Sequence, residues 1–547
     1  MTLTSINESQ SSLTFHGTGT FSSHPWIGNV AELTSDSSAV GALLRSLDLP
    51  LWAVRQKDRV ALTSSNGFQG NGLVYERLAY APAIPLSQLG DPAFQETYGT
   101  RYAYYSGAMA NAIASVEMVV ALGKAGMLGS YGSAGVSPAR IEDAIQRIQK
   151  ALPNGPYMVN LIHSPNETNL ERILVELFLR YKIPVIEASA YMDMTYGLAH
   201  FRVAGLSKAT DGSVQINNRI IAKISRKEVA RKFMLPVSEE FLRQLLEDGK
   251  ISPEQAELAH LVPVADDITV EADSGGHTDN RPLVGLIPTM LRIRDQIQTE
   301  MNYQTPIRVG AGGGIGTPEA ALAAFMMGAA YIVTGSVNQA CVEAGASTYT
   351  RQLLAQADMA DVTMAPAADM FEMGVRVQVL KRGSMFAMRA SRLYELYNRY
   401  SSIEEIPEKD REKIEKTIFK RDLNEIWEET QQFFRERDIQ NLERALADPH
   451  HKMALIFRWY LGLSSRWSVV GEPSREMDYQ IWCGPSMGTF NEWVRGTYLE
   501  TKENRYVVDV VMQLLTGAAY LARVRSLSLQ GVQFPPEISR YMPQRQD

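Results

Sequence analysis

Between residues 100 and 340, short apolar runs alternate with longer stretches whose apolar positions recur every three or four residues. The runs, many of them β-branched, cover 103–106, 127–131, 157–161, 184–188, 220–224, 268–271, 307–309 and 331–333. Short, mostly apolar and bounded by turn residues, they have the pattern of strands buried on both faces. The stretches 112–125, 138–152, 167–181, 283–300 and 318–328 read as helices. Ser137-Pro138 and Thr317-Pro318 each set a capping hydroxyl before a proline at the first helical position. Eight strands alternating with helices predict an α/β fold, a closed (β/α)8 TIM barrel.

The flanks have other rhythms. Residues 1–98 predict a small N-terminal subdomain with short strands at 55–60, 72–76 and 79–84. The barrel takes 99–345, and 346–547 predict a mostly helical C-terminal region, with a charged stretch at 404–443 and an apolar helix near 507–524. Two connections inside the barrel are oversized: 191–218, and 226–266 with helical patterns at 239–247 and 253–261. Such loops are expected on the C-terminal face of the strands, where barrel enzymes build their sites.

Composition narrows the partners. The net charge is −7, which gives no general basis for nucleic-acid binding. Cys341 and Cys483 lie far apart and form no C-x-x-C motif, so neither a metal site nor a disulfide framework is expected and a reducing cytoplasm is the natural setting. Residues 1–20 are polar, rich in Ser and Thr, and unlike a signal peptide. The apolar run at 320–333 is shorter than the roughly 20 residues of a membrane helix and is broken by Gly328, so no membrane span is expected.

The strongest local signal is Val309-Gly-Ala-Gly-Gly-Gly-Ile-Gly-Thr-Pro318, which follows a strand and opens a helix. Lacking Cβ atoms, its glycines let backbone N–H groups converge on a phosphate. The next strand ends in Gly335-Ser336, and the loops after strands seven and eight are where barrels hold phosphates. A tight turn that merely requires glycine is the competing reading. After the sixth strand, Asp273-Ser274-Gly275-Gly276-His277 offers a histidine able to exchange protons near neutral pH.

These motifs carry a resemblance. The glycine pair before His277, the Gly312-Gly313-Gly314 turn and the Gly335-Ser336 turn resemble the nitronate monooxygenase superfamily, which includes an FMN-dependent bacterial enoyl-acyl-carrier-protein reductase. Tyr105-Ser-Gly-Ala-Met-Ala110 and Gly126-Met-Leu-Gly129 resemble the first strand and flavin-facing backbone of that group, and Asn160 matches its third-strand asparagine. Residues 314–344 and the distal Trp482-Cys-Gly-Pro-Ser-Met-Gly-Thr-Phe-Asn-Glu-Trp493 resemble more narrowly the PfaD family. Those are reductase subunits of polyunsaturated fatty acid synthases, with related trans-acting enoyl reductases of polyketide synthases. Asp273 stands where many relatives have Glu.

The resemblance implies FMN contacts from Ala108, Met109, Asn160, Lys223, Ser274, Gly275, Gly276, Gly312, Gly313, Gly314, Gly335 and Ser336. For Lys223 a solvated side chain is the alternative. The implied reaction is ping-pong: NADPH, or alternatively NADH, reduces FMN, and a hydride then passes to the β-carbon of an enoyl thioester on an acyl carrier protein. His277 is the implied proton donor or polariser. Two other readings remain at this level: a nitronate-type flavin oxidase, and a non-catalytic flavin-binding subunit of a megasynthase. A homodimer is compatible with the sequence. Lys381, Arg382, Arg389 and Arg392 are a candidate carrier-docking patch, with a solvated helix face as the blander reading. Trp482, Phe490, Trp493 and Tyr498 are expected in the C-terminal core or at a dimer contact.

Overall fold

A computed structural model describes residues 13–15, 24–57, 59–67, 72–163 and 168–545; the N-terminal stretch 1–20 lies outside these except at 13–15. Eight parallel strands close a barrel in chain order: β1 Tyr104–Ser106, β2 Leu128–Tyr131, β3 Met158–Ile162, β4 Val185–Ser189, β5 Arg219–Ile224, β6 Asp267–Glu271, β7 Arg308–Gly312 and β8 Ile332–Thr334. β8 pairs with β1 through Ile332 and Tyr104, which completes the ring. All eight predicted strands are present within three residues at each end, and their burial on both faces is what made them read as unbroken apolar runs.

The bottom of the barrel is plugged. Arg308 grips Asp267 with two hydrogen bonds of 2.7 Å, and the Tyr98 hydroxyl donates to the same carboxylate. One layer up, Thr269 bridges the Tyr105 and Tyr331 hydroxyls at 2.8 and 2.9 Å. A ligand therefore enters from the C-terminal end of the strands.

Several sequence expectations need correction. The run at 55–60 is not one strand but the bend of a hairpin, Leu51–Gln56 with Arg59–Thr63, turned at Lys57 with φ +55°. The connection 191–218 contains a full helix, Tyr196–Ala204, whose residues 197–203 are all buried; a helix buried all round shows no polar stripe to recognise. The long connection 226–266 forms three helices, Lys227–Met234, Glu239–Glu247 and Pro253–Ala259. It packs on the outer ring against Tyr196–Ala204 and Leu283–Met301 rather than over the mouth of the barrel.

The C-terminal region is not purely helical and does not pack as one unit. Val362–Pro366 and Arg376–Leu380 form a hairpin that also takes up Gly276–His277 as a third strand. Residues 365–461 supply most of a separate core around Phe371, Phe457 and Tyr460. The later helix Val507–Leu529 returns to the main core beside the N-terminal subdomain, where Arg523 donates to the carbonyls of Leu44 and Ser46. That helix is long and apolar enough to cross a membrane, yet 78% of its apolar window is buried within the protein. Phe490 and Trp493 are core residues as expected, and the Tyr498 hydroxyl donates to Asp509 at 2.7 Å.

Candidate active site

A cavity of about 450 Å³ opens at the C-terminal end of the strands, within the size range of cofactor and substrate sites. Its walls include Ala108, Met109, Asn160, Lys223, Ser274, Gly275, Gly276, His277, Gly312, Gly313, Gly335 and Ser336. Of the residues that the resemblance implies for cofactor binding and catalysis, Gly314 alone stands outside these walls and is exposed.

The turn after β7 requires glycine. Gly313 has φ +85°, and a Cβ there would stand 2.8 Å from the backbone carbon of Ala272. At Gly335 the space where a Cβ would project is open. Ser336 accepts a 2.9 Å hydrogen bond from the Gly484 N–H, so the last barrel turn is tied to the Trp482–Trp493 segment. Two polar atoms on the cavity wall, Ser274 Oγ and Gln339 Nε2, are buried and have no hydrogen-bond partner among the described residues. Buried polar atoms are rarely left unpaired, and here they offer a donor and a hydroxyl to a bound polar group.

The floor is charged. Lys223 Nζ lies 3.0 Å from Glu271 and 3.9 Å from Glu187. Burial works against the ammonium, but the two carboxylates outweigh it and hold its pKa above the ordinary lysine value, so it is a fixed cation. Glu187 is fully buried, and burial pushes its carboxyl up against the opposing pull of Lys223 and the Ala108 N–H, which donates to it at 2.8 Å. The Asn160 amide donates to the Glu187 carbonyl and to Ser189 Oγ, both at 2.9 Å, which leaves its Oδ1 for the cavity. Glu187 and Glu271 were missed in the sequence. Their signal was a carboxylate inside an apolar strand, a position that is costly unless paired.

His277 belongs to a strand that the C-terminal hairpin holds in place, with Gly276 opposite Gln378 and His277 opposite Val377. Asp273 settles into this arrangement through its side chain: Gln378 Nε2 donates to it at 2.7 Å and Asn280 Nδ2 at 3.0 Å. Gly275 packs directly on the backbone of Cys483. His277 Nε2 lies 3.2 Å from Asp369 Oδ1. Burial disfavours the imidazolium, but the Asp369 carboxylate, with Glu271 behind it, raises the pKa of the ring above its ordinary value, and Asp369 is lowered in return. Asp369 lies in a plain Ala-Ala-Asp-Met stretch and gave no sequence signal.

A second histidine faces the same cavity. His163, just past β3, has Nδ1 3.2 Å from buried Glu171 and its ring 5.2 Å from that of Tyr191. Trp482 packs against the core as expected and also forms part of the cavity wall, together with Gln480, Ser486, Leu461, Gly462 and Ser465. Three of the four residues of the candidate docking patch are engaged in ion pairs within the protein. Arg389 is bound to buried Asp478, Arg382 pairs with Asp361 at 2.9 Å, and Arg392 pairs with Asp410 at 3.2 Å.

Known proteins resemble the chain in sequence and in fold. Residues 94–403 match the nitronate monooxygenase family, and residues 400–479 match the inserted helical domain of [acyl-carrier-protein] S-malonyltransferase. The chain is 51% identical over 449 residues to a polyunsaturated fatty acid synthase subunit of a Thraustochytrium species, covering 81% of this chain and 30% of that protein. It is 46% identical to polyketide biosynthesis protein PksE of Bacillus subtilis, over 82% of this chain and 58% of the other. The chain thus spans between about a fifth and three fifths of the curated relatives it matches. Among solved structures, the enoyl reductase domain of MlnA from the macrolactin biosynthesis cluster of Bacillus amyloliquefaciens is 39% identical with a TM-score of 0.77, over 81% of this chain and all of that domain. The chain belongs to the nitronate monooxygenase family, on its PfaD-like branch.

Proposed function

We propose that the protein is an enoyl reductase that uses FMN and NADPH to saturate the α,β double bond of acyl thioesters carried by an acyl carrier protein, in polyunsaturated fatty acid or polyketide synthesis. The observation that carries this reading is the meeting of His277, Lys223 and the two glycine turns on one cavity. The site fits the cofactor: the open space at Gly335, the left-handed Gly313 and the unpartnered Ser274 and Gln339 atoms suit a phosphorylated, polar ligand. Ser336, Gly312, Gly313 and Gly335 would hold the phosphate end, with Ala108, Met109, Asn160 and Lys223 along the ring.

When bound, the flavin supplies a hydride, taken from the nicotinamide nucleotide, to the β-carbon of the thioester. What remains for the protein is one proton at the α-carbon and control of the charge on the thioester oxygen. His277 holds that proton, kept on the ring by Asp369. The fixed charge of Lys223 stabilises negative charge that develops in the cavity. Leu461 and Trp482 line the cavity with apolar surface supplied by the C-terminal region. The test is purified protein with FMN, NADPH and an enoyl thioester, followed by nicotinamide absorbance and product mass. The expected result is one saturated thioester per nicotinamide oxidised; a flavin-loaded protein that leaves a carrier-linked enoyl substrate intact would refute the reading.

A further inference from the structure

Helix Pro449–Val470 sends Leu461, Gly462 and Ser465 into the cavity wall. Gly462 lies in the interior of a 22-residue helix, where glycine is among the least favourable residues because it exposes backbone and loses the most chain freedom. Packing does not demand it. A Cβ at Gly488 would meet Met359 N at 2.0 Å, and one at Gly517 would meet Pro318 at 2.5 Å, but at Gly462 nothing among the described residues lies within 4 Å. The missing side chain leaves a gap that belongs to the cavity.

The gap has a fixed width. Ser465, one turn along, donates to the Gly462 carbonyl at 3.0 Å and accepts from Asn111 Nδ2 at 3.1 Å, which pins the helix to the loop after β1. Asn111 is itself held at φ +58°. Ala368, Val377 and Leu461 give this part of the cavity an apolar lining. Gln339, 3% exposed and with Nε2 unpartnered among the described residues, independently marks the same cavity as built for a ligand.

We propose that Gly462 sets the bore of an acyl-chain subsite, in which the saturated tail of the thioester runs between helix Pro449–Val470 and the Ala368–Val377 wall. The identity of this occupant rests on the enoyl-reductase reading, but its binding is measurable without turnover. Butyryl- and dodecanoyl-pantetheine are titrated against the full-length, FMN-loaded protein by calorimetry, for wild type, Gly462→Ala and Gly462→Leu. Each buried methylene is worth about a fourfold gain in affinity, so burying only about four of the roughly eight methylenes by which the two chains differ should make wild type prefer the longer one by roughly a hundredfold or more. Gly462→Leu should cut that preference by about tenfold or more and Gly462→Ala by less, while the melting temperature holds or rises because both residues favour helix. If the leucine variant does not fold, the smaller loss in Gly462→Ala decides the matter. An unchanged chain-length preference in the folded variants would overturn the proposal. So would a penalty that vanishes when pantetheine is replaced by N-acetylcysteamine, because the gap would then hold the arm instead of the tail. Chain-length-dependent binding with no reduction of enoyl thioesters would remove the reductase reading and leave the subsite intact.

Discussion

The insertion after β5 and the region that follows the barrel both hang helices on the same eight strands. The insertion buries Phe233, Met234, Leu242 and Leu245 in the outer shell, and none of its residues reaches the cavity. The post-barrel region lends a strand to His277, a carboxylate to its ring, a side chain to Asp273 and a helix face to the cavity. Both were added to one scaffold, yet the segment nearer in sequence to the active-site loops is the one that stays away from them. The insertion packs the outer shell. The distal region completes the site.

The contrast is broken most directly at His277. His277→Ala should lower kcat for enoyl reduction by about 10²–10⁴-fold, the usual worth of a positioned acid, while FMN content is retained. Equal rates for variant and wild type would transfer the proton to another group, with His163 next in line on the cavity wall. On the other side of the comparison, Phe233→Ala removes a fully buried aromatic and should cost about 3–5 kcal/mol of stability. Denaturant melts and kinetics on the folded fraction separate the two classes: kcat and KM of folded Phe233→Ala should match wild type. A large kcat defect there would mean that the insertion couples to the site after all.

A subtler distinction concerns the loop itself. Gln378 does not line the cavity, but its side chain donates to Asp273 and to the Ser274 carbonyl. Gln378→Ala should therefore reduce kcat by about tenfold with little change in FMN content, because it loosens the loop that presents the histidine. Gln378→Glu restores bulk but not the donor, and should not rescue.

Sequence and structure parted along physical lines. The barrel was legible because parallel strands buried on both faces leave an unmistakable apolar run, and the glycine turns because only glycine tolerates the Gly313 geometry. Helix Tyr196–Ala204 was hidden because its burial erased the polar stripe. Within the site, the local motif of Gly275, Gly276 and His277 could be read, but the partners that give it meaning could not. Asp369 and Gln378 lie roughly 90 to 100 residues further along, and nothing in their neighbours distinguishes them from surface or core positions; Trp482 opens a recognisable motif, but that motif does not say that it reaches the cavity. A motif announces a group able to carry a proton; the distant chain decides whether it keeps one.

Asp369→Asn isolates that last point. In the wild type, burial alone would push the His277 ring toward its neutral form, and the Asp369 charge reverses the sign, so the ring stays protonated to higher pH than an ordinary imidazole. Activity that depends on the protonated ring should then fall as pH rises through this raised value. Without the carboxylate only the burial effect and the more distant Glu271 and Lys223 remain, and the basic limb of the kcat profile should move to lower pH. At low pH the variant should approach wild-type rates, with a deficit that widens steadily on the alkaline side. The pair's contribution to stability follows the same sign: it is complete while His277 is charged and Asp369 ionised, and it fades as pH rises through the raised imidazole value or falls through the depressed carboxylate one. A pH-independent loss in Asp369→Asn would show that the C-terminal region only positions the ring, and the distinction between the two additions would narrow from electrostatics to geometry.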